Sequence, residues 1–210
     1  MNALQLHRSS GKVAGWIIAL VVIALIVLSA VMYYISTYNT LVRLDEGVKS
    51  AWGDVETTYQ RRMDLIPNLV STVKGYADFE KSTLTAVIEA RAKASQTVIK
   101  ADQVTNPEQF QKFQQAQSEL TSALSRLMVV VERYPDLKAN NSFLRLQDEL
   151  AGTENRIAVA RKRFNDAARD YNTTRRGFFA SMVADRAGFK EAQYFKAEER
   201  AATAPTVKFD

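Results

Sequence analysis

Val13 to Ile35 is a run of 23 residues, VAGWIIALVVIALIVLSAVMYYI, with no charged side chain. About 20 apolar helical residues cross a hydrocarbon core roughly 30 Å thick, so this run is long enough to span a bilayer with some tilt. Trp16 stands at one end and Tyr33, Tyr34 and Tyr38 at the other, as interfacial aromatics do. A cleaved signal peptide has a shorter apolar region, about 7–15 residues, followed by a small-x-small site. The best such site here would put Leu28 and Ala30 at the small positions. The run from Val13 to Ile35 is therefore read as an uncleaved anchor, and a buried soluble core helix of this purity is disfavoured.

The flanking charge orients the anchor weakly. Arg8, Lys12 and the α-amino group lie on one side, and Arg43 and Lys49, interleaved with Asp45 and Glu46, on the other. Counting Lys and Arg near the span favours a cytoplasmic N-terminus and an extracytoplasmic domain. From Arg43 onward 26 basic residues face 23 acidic ones. That balance lacks the dense basic stripe of a nucleic-acid binder, so no nucleic-acid partner is expected.

Beyond the anchor, apolar residues recur at steps of three and four. One seam runs Leu41, Leu44, Val48, Ala51, Val55, Thr58, and a shorter one Leu84, Val87, Ile88, Ala94, Val98. A third runs Phe110, Phe113, Leu120, Leu124, Leu127, Val131, Tyr134, with Gln117 at its polar position. The longest runs Phe143, Leu146, Leu150, Thr153, Ile157, Ala160, Phe164, Ala167, Tyr171. These predict helices over about 38–74, 79–101, 107–134 and 142–176, the first continuing the anchor because residues 36–40 hold no Gly or Pro. Asn106-Pro107-Glu108-Gln109 reads as a capped start, with Gln109 reaching back to the cap. Residues 135–142 read as a loop, residues 75–78 as the first reversal, and Pro67 as an alternative reversal or a kink. Such narrow seams suit an antiparallel bundle. The expected fold is all-α: one N-terminal transmembrane helix followed by an elongated antiparallel helical bundle. Its divisions are a tail (1–12), the anchor (13–35), the bundle (38–176), and a short helix with a C-terminal tail (177–210).

The chain has no Cys and one His, His7, which precedes the anchor. Disulfides, thiol nucleophiles, Cys and His zinc sites, catalytic triads and imidazole acid-base chemistry are thereby excluded from the bundle. Phosphate-binding Gly loops are missing too. No catalytic, cofactor-binding or metal residue is assigned, no cofactor is expected, and the protein is read as a non-enzyme.

Several stretches resemble the LemA family. They are Tyr38 to Val42 with Glu46-Gly47-Val48 and Ala51-Trp52, and Arg61-Arg62-Met63-Asp64-Leu65-Ile66-Pro67-Asn68-Leu69-Val70 with Val73 to Ala77. Tyr134 to Asn140, Leu146 to Leu150, Thr153 to Arg161, Phe195 to Glu199 and Pro205 to Phe209 are also similar. The resemblance implies a bacterial membrane protein with one N-terminal span, a helical bundle and no transferable catalytic residues. A magnetosome branch of that family is associated with membrane biogenesis. Family descriptions place the N-terminus outside, opposite to the charge argument. Where the family often has Phe-Pro after its last long helix, this chain has Phe178-Phe179-Ala180, which leaves room for that helix to run further.

Two clusters are candidate sites. Arg62, Asp64 and Asn68 near Pro67, with Glu154, Asn155 and Arg156 midway along the last long helix, would meet in an antiparallel bundle. Asp64 with Glu154 would be the acid-base or metal pair of a carboxylate enzyme. The six residues together would otherwise be a register-fixing polar network or solvated faces. Structure is favoured over chemistry, because di-metal bundles use Glu-x-x-His pairs. The second cluster is Phe178, Phe179, Met182, Val183, Phe189, Tyr194 and Phe195, among Arg175, Arg176, Arg186 and Lys190. It suits either a helix capping the bundle or contact with an anionic membrane or a partner. Gly11 and Gly15 give only a weak small-residue pairing signal beside the span.

The expected function is a single-pass interaction or scaffolding module of the bacterial inner membrane, its soluble domain on the periplasmic or extracytoplasmic side. Membrane lipid, a second copy of the chain and other membrane proteins are its expected partners. Lipid binding or membrane shaping is the alternative, and a carboxylate-dependent enzyme the remote one.

Overall fold

One helix, α1 (Ser10–Lys74), carries the apolar run and the first bundle seam through 65 residues without a break. At 1.5 Å per residue it is about 97 Å long. The computed structural model to which it belongs describes residues 10–76 and 79–196, with side chains from Gly15 onward. His7, Arg8, Ala77, Asp78 and the ending from 197 to 210, on which parts of the sequence reading rest, lie outside the described residues, as does the Val13 side chain. Nothing between residues 36 and 40 interrupts the helical hydrogen bonds, and Thr40 Oγ1 folds back to donate to Ser36 O at 2.9 Å. Every described side chain from Gly15 to Ser36 is exposed, whereas Leu41 is fully buried. α1 thus divides into a naked apolar half and a half packed in the bundle.

The remaining helices are α2 (Lys81–Gln96), α3 (Pro107–Val131), the single turn α4 (Pro135–Lys138), α5 (Asn141–Arg175) and α6 (Phe178–Ala187). Among the described residues there is no strand. α1 packs along α5, and α2 along α3. Cross-helix contacts give the directions. Arg61 meets Glu149 and Trp52 meets Phe164, so α5 is antiparallel to α1. Lys93 meets Glu119 and Glu80 meets Arg133, so α2 is antiparallel to α3. The bundle is therefore up-down-up-down, with α6 returning to α1 near the exposed half.

Helix starts follow local chemistry. Asn106 Oδ1 accepts from Glu108 N and Gln109 N at 3.1 and 3.2 Å, ahead of Pro107 in the first turn. Gln109 does not reach back, since its buried Oε1 has no hydrogen-bond partner. Asn140 caps α5 through Ser142 N and Phe143 N. The expected loop at 135–142 holds the turn of α4, because Pro135 is preset for a first helical position and Leu137 is fully buried. The expected seam of α2 is wrong at two places: Ile88 and Val98 are exposed, while Leu84, Val87 and Ala94 are buried. The second helix also stops at Gln96 rather than 101, and the chain beyond it buries Ile99 and Val104.

Pro67 neither reverses nor ends α1. Its missing N–H leaves the carbonyl of Met63, four residues back, without a helical donor. Arg91 of α2 supplies one: its Nε donates to Met63 O at 3.1 Å. The proline gap is thus a docking point for α2. Arg91→Met is expected to cost about 1–2 kcal/mol, because it leaves that carbonyl unpaired. In a Pro67→Ala background the new N–H takes the carbonyl, and the cost of Arg91→Met should shrink to a few tenths. Urea titration of the four proteins gives the coupling, and additivity would remove the docking role.

Candidate functional site

Among the described residues most of the core lies in two apolar blocks separated by a polar layer, with a small third cluster of Leu41, Val183 and Ala184. The upper block takes Met63, Ile66 and Leu69 from α1, Ala116, Leu120 and Leu127 from α3, and Phe143 and Leu150 from α5. The lower block takes Val48, Trp52, Val55 and Tyr59 from α1, Phe110 and Phe113 from α3, and Ile157 and Phe164 from α5. Between them lie Arg62, Gln117 and Thr153, all buried.

Arg62 is 1% exposed. Its Nη1 donates to Glu154 Oε1 at 2.7 Å and to Thr121 Oγ1 at 3.0 Å, and its Nη2 donates to Gln117 Oε1. The guanidinium carbon lies 5.0 Å from the centre of the Tyr59 ring. Two helices, α3 and α5, therefore supply the acceptors for one buried cation carried by α1. Glu154 is partly exposed, which lowers the desolvation cost of the pair. Thr153 satisfies itself by donating to Glu149 O at 2.7 Å.

Of the six residues nominated for a polar network, Arg62 and Glu154 meet. Asp64 and Asn68 lie on the outer surface of α1, where Asp64 accepts from Gln60 at 2.8 Å. Asn155 and Arg156 are exposed beside Asp54 and Thr58. The Asp64–Glu154 carboxylate pair is not assembled. A cleft of about 620 Å³ opens beside the polar layer, and Glu154 is the one carboxylate among its lining residues, with Arg62, Gln114, Gln117, Arg161 and Lys196 around it. Among the described residues no three His, Asp or Glu side chains stand close enough to hold a metal ion.

A second arrangement was invisible as a seam. After α6, Gly188 turns the chain at φ 79°, a left-handed conformation that favours glycine. Residues 189–196 then return along α5, held by its side chains. Arg175 Nε donates to Phe189 O at 2.9 Å, and Tyr171 Oη to Lys190 O at 2.8 Å. Asn172 accepts from Ala192 N and donates to Ala192 O, at 3.0 and 2.8 Å. Asn165 does the same for Phe195, at 2.9 and 3.0 Å. Each asparagine amide thus satisfies both backbone groups of one residue, as a neighbouring strand would. Burial, and secondarily the Asp45 carboxylate, push the Tyr171 hydroxyl up to about 12 against the opposing pull of Arg175 and Lys49. It therefore stays a donor at neutral pH. Lys49 is held above its ordinary value by hydrogen bonds to Asp45 and Glu46.

The aromatic cluster separates into two groups. Phe195 and Val183 are buried, and Phe189 is turned inward against the lower block and the Tyr38 ring, 5.8 Å away. Phe178, Phe179 and Met182 are exposed at 78, 57 and 66%. Phe179 lies edge-on to Tyr33, with ring centres 5.7 Å apart. α5 ends at Arg175 and does not run on: Gly177 leaves the helical conformation and starts α6, at a place where a Cβ would lie 3.2 Å from Thr174 O.

The LemA family profile matches residues 51–209. The chain belongs to the LemA family. It is 28% identical to the magnetosome protein MamQ 2 of Paramagnetospirillum magneticum, over 92% of this chain and 77% of that protein. It is 26% identical to the protein LemA of Metamycoplasma hominis, over 79% of this chain and 72% of that protein. The magnetosome protein MamQ of Magnetospirillum gryphiswaldense is 26% identical, over 88% of this chain and 75% of that protein. None of these names denotes a catalytic activity.

The motif residues of this LemA-family chain now have positions. In the stretch from Arg61 to Val70, Arg62 anchors the polar layer, Met63, Leu65, Ile66, Leu69 and Val70 are core, and Pro67 opens the carbonyl for Arg91. Tyr134 to Asn140 forms α4 and the cap of α5, and the Asn140 amide donates to Tyr76 Oη at 3.1 Å.

Proposed function

We propose that this protein is a single-pass membrane-anchored interaction or scaffolding module that associates with further copies of itself or with other membrane proteins. The observation that carries the reading is the continuity of α1, whose naked apolar half passes directly into the bundle. Water does not tolerate so long an exposed apolar helix, and a bilayer removes that cost. A helix without a hinge transmits orientation. From Leu41 to Lys74 it holds the far end of the bundle about 50 Å above the membrane level. The cleft holds a single carboxylate, which suits binding better than acid-base chemistry. The names of the MamQ relatives are consistent with work at a membrane. We place the anchor in the bacterial inner membrane, with the bundle on the extracytoplasmic side as the flanking Lys and Arg favour.

The chain lacks cysteine, so Lys138→Cys at exposed α4 introduces a single thiol. A bifunctional thiol–amine crosslinker applied to native membranes should give dimers, higher species or a recurrent heterologous band. Monomer alone at all crosslinker lengths would overturn the reading.

A further inference from the structure

We infer that the corner between α5 and α6 is a second membrane contact, in which Phe178, Phe179 and Met182 enter the interfacial layer of an anionic bilayer beside the point where α1 emerges. The inference rests on the anchor reading of α1 and adds a lipid-binding surface to it.

The corner's height follows from its contacts. Phe179 touches Tyr33, which belongs to the charge-free run, and Val183 and Ala184 are buried against Leu41, two turns further along α1. With the run in lipid, Tyr33 lies at the interface, and the start of α6 lies there with it. The three exposed side chains lie within the first turn and a half of α6, and Phe178 and Phe179 also meet edge to face at 4.9 Å. Among the described residues of the bundle, the other exposed large apolar side chains beyond Tyr38 are Ile88, Val98, Val129, Leu144, Val159 and Tyr194, none of them adjacent in sequence. Those at this corner adjoin the surface of the span, through Phe179 and Tyr33.

The opposite face of α6 is occupied, so the exposed face is not awaiting the rest of this bundle. Val183 and Ala184 are 5 and 0% exposed. The chain also leaves and re-enters the bundle around the corner: α5 ends before it, and residues 189–196 return along α5 after Gly188. The excursion is thereby held at both ends. Arg176, Arg186 and Lys190 are exposed in this stretch with one further exposed carboxylate, Glu191, and Arg43, two residues from Leu41 on α1, is exposed, while Arg175 is engaged by Asp185 at 2.9 Å. An apolar wedge beside an excess of cations fits lipid tails below anionic headgroups.

The test uses the full chain in nanodiscs of phosphatidylcholine with or without phosphatidylglycerol. Single spin labels are placed by Met182→Cys, by Ala24→Cys within the span and by Lys138→Cys at the far end. The expected result is several-fold higher oxygen than nickel-chelate accessibility at 182, shallower than at 24 and opposite to 138, with greater depth in the anionic discs. Triple substitution of Phe178, Phe179 and Met182 by Ser should shift a label at Ser181→Cys toward water without altering helicity. A label at 182 with the accessibility of 138 would overturn the inference and leave the anchor standing. Aqueous accessibility at 24 would overturn both. Protection at 182 from both reagents, with dipolar coupling between labels, would assign the corner to a second copy instead. Equal depth in the two lipids would overturn the anionic preference.

Discussion

Replacing Trp52 by alanine is expected to destabilise the bundle by about 3–5 kcal/mol, the range for truncating a large buried aromatic. Trp52 is 1% exposed, and its ring centre lies 5.3 to 6.0 Å from those of Phe110, Phe113, Phe164 and Phe195. Those four rings come from α3, α5 and the segment returning after α6. The truncation therefore loosens the lower block at every element that meets there, including the strip that carries the chain away from the membrane corner. Trp52 Nε1 also donates to Ile99 O at 3.2 Å, which fixes the stretch after α2. Trp52→Phe keeps most of the apolar area and loses this bond, so about 1–2 kcal/mol is expected from it. Guanidinium titration followed by far-ultraviolet circular dichroism in detergent checks both. A midpoint for Trp52→Ala close to that of the native chain would show that the lower block can collapse around the gap.

Arg62→Ala is expected to cost a similar 3–5 kcal/mol, for a different reason. The truncation leaves Gln117 and Thr121 short of a donor inside the bundle and takes the partner from Glu154. Glu154→Gln leaves the buried guanidinium without a counter-charge but keeps an acceptor, and about 1–3 kcal/mol is expected. Arg62→Met separates stability from specificity. Apolar replacement of a buried ionic group is often neutral or stabilising. Its expected consequence is therefore a near-native midpoint with a looser register between α1, α3 and α5. Doubled amide resonances or faster hydrogen exchange on either side of the layer would reveal that loss. A single sharp conformer of Arg62→Met with native exchange rates would remove the register role and leave Arg62 as a local packing feature. Glu119, held below its ordinary value by Lys93, is by contrast an exposed surface pair of small expected effect.

The polar layer shows how far residue patterns reach. Gln117 and Thr153 stand in apolar seams of α3 and α5, and both are buried in the layer. Arg62 and Glu154 are recognisable as charged residues near those levels, but their neighbours in the chain are not partners. Asp64 follows Arg62 by two positions, about 200° around a helix, so it faces away from the layer. Asn155 is about 100° from Glu154 and is exposed. Helix phase, not proximity in sequence, decides which side chain enters the core. Thr121, one turn beyond Gln117, completes the site and carries no sequence signal apart from that spacing.

The sequence by itself determined the apolar span, the four long helices with most of their seams, the Asn106 start and the all-α class. Each is a local property, set by hydrophobic periodicity, by caps and by the scarcity of helix breakers. Tertiary structure decided the rest. Arg91 fills the carbonyl that Pro67 leaves open in another helix, α5 asparagines hold a returning strip as a strand would, and the α6 corner sits at Tyr33. These contacts join residues far apart in the chain through polar atoms or single exposed rings. Such pairings leave no periodic trace, because their partners are chosen only when the helices pack.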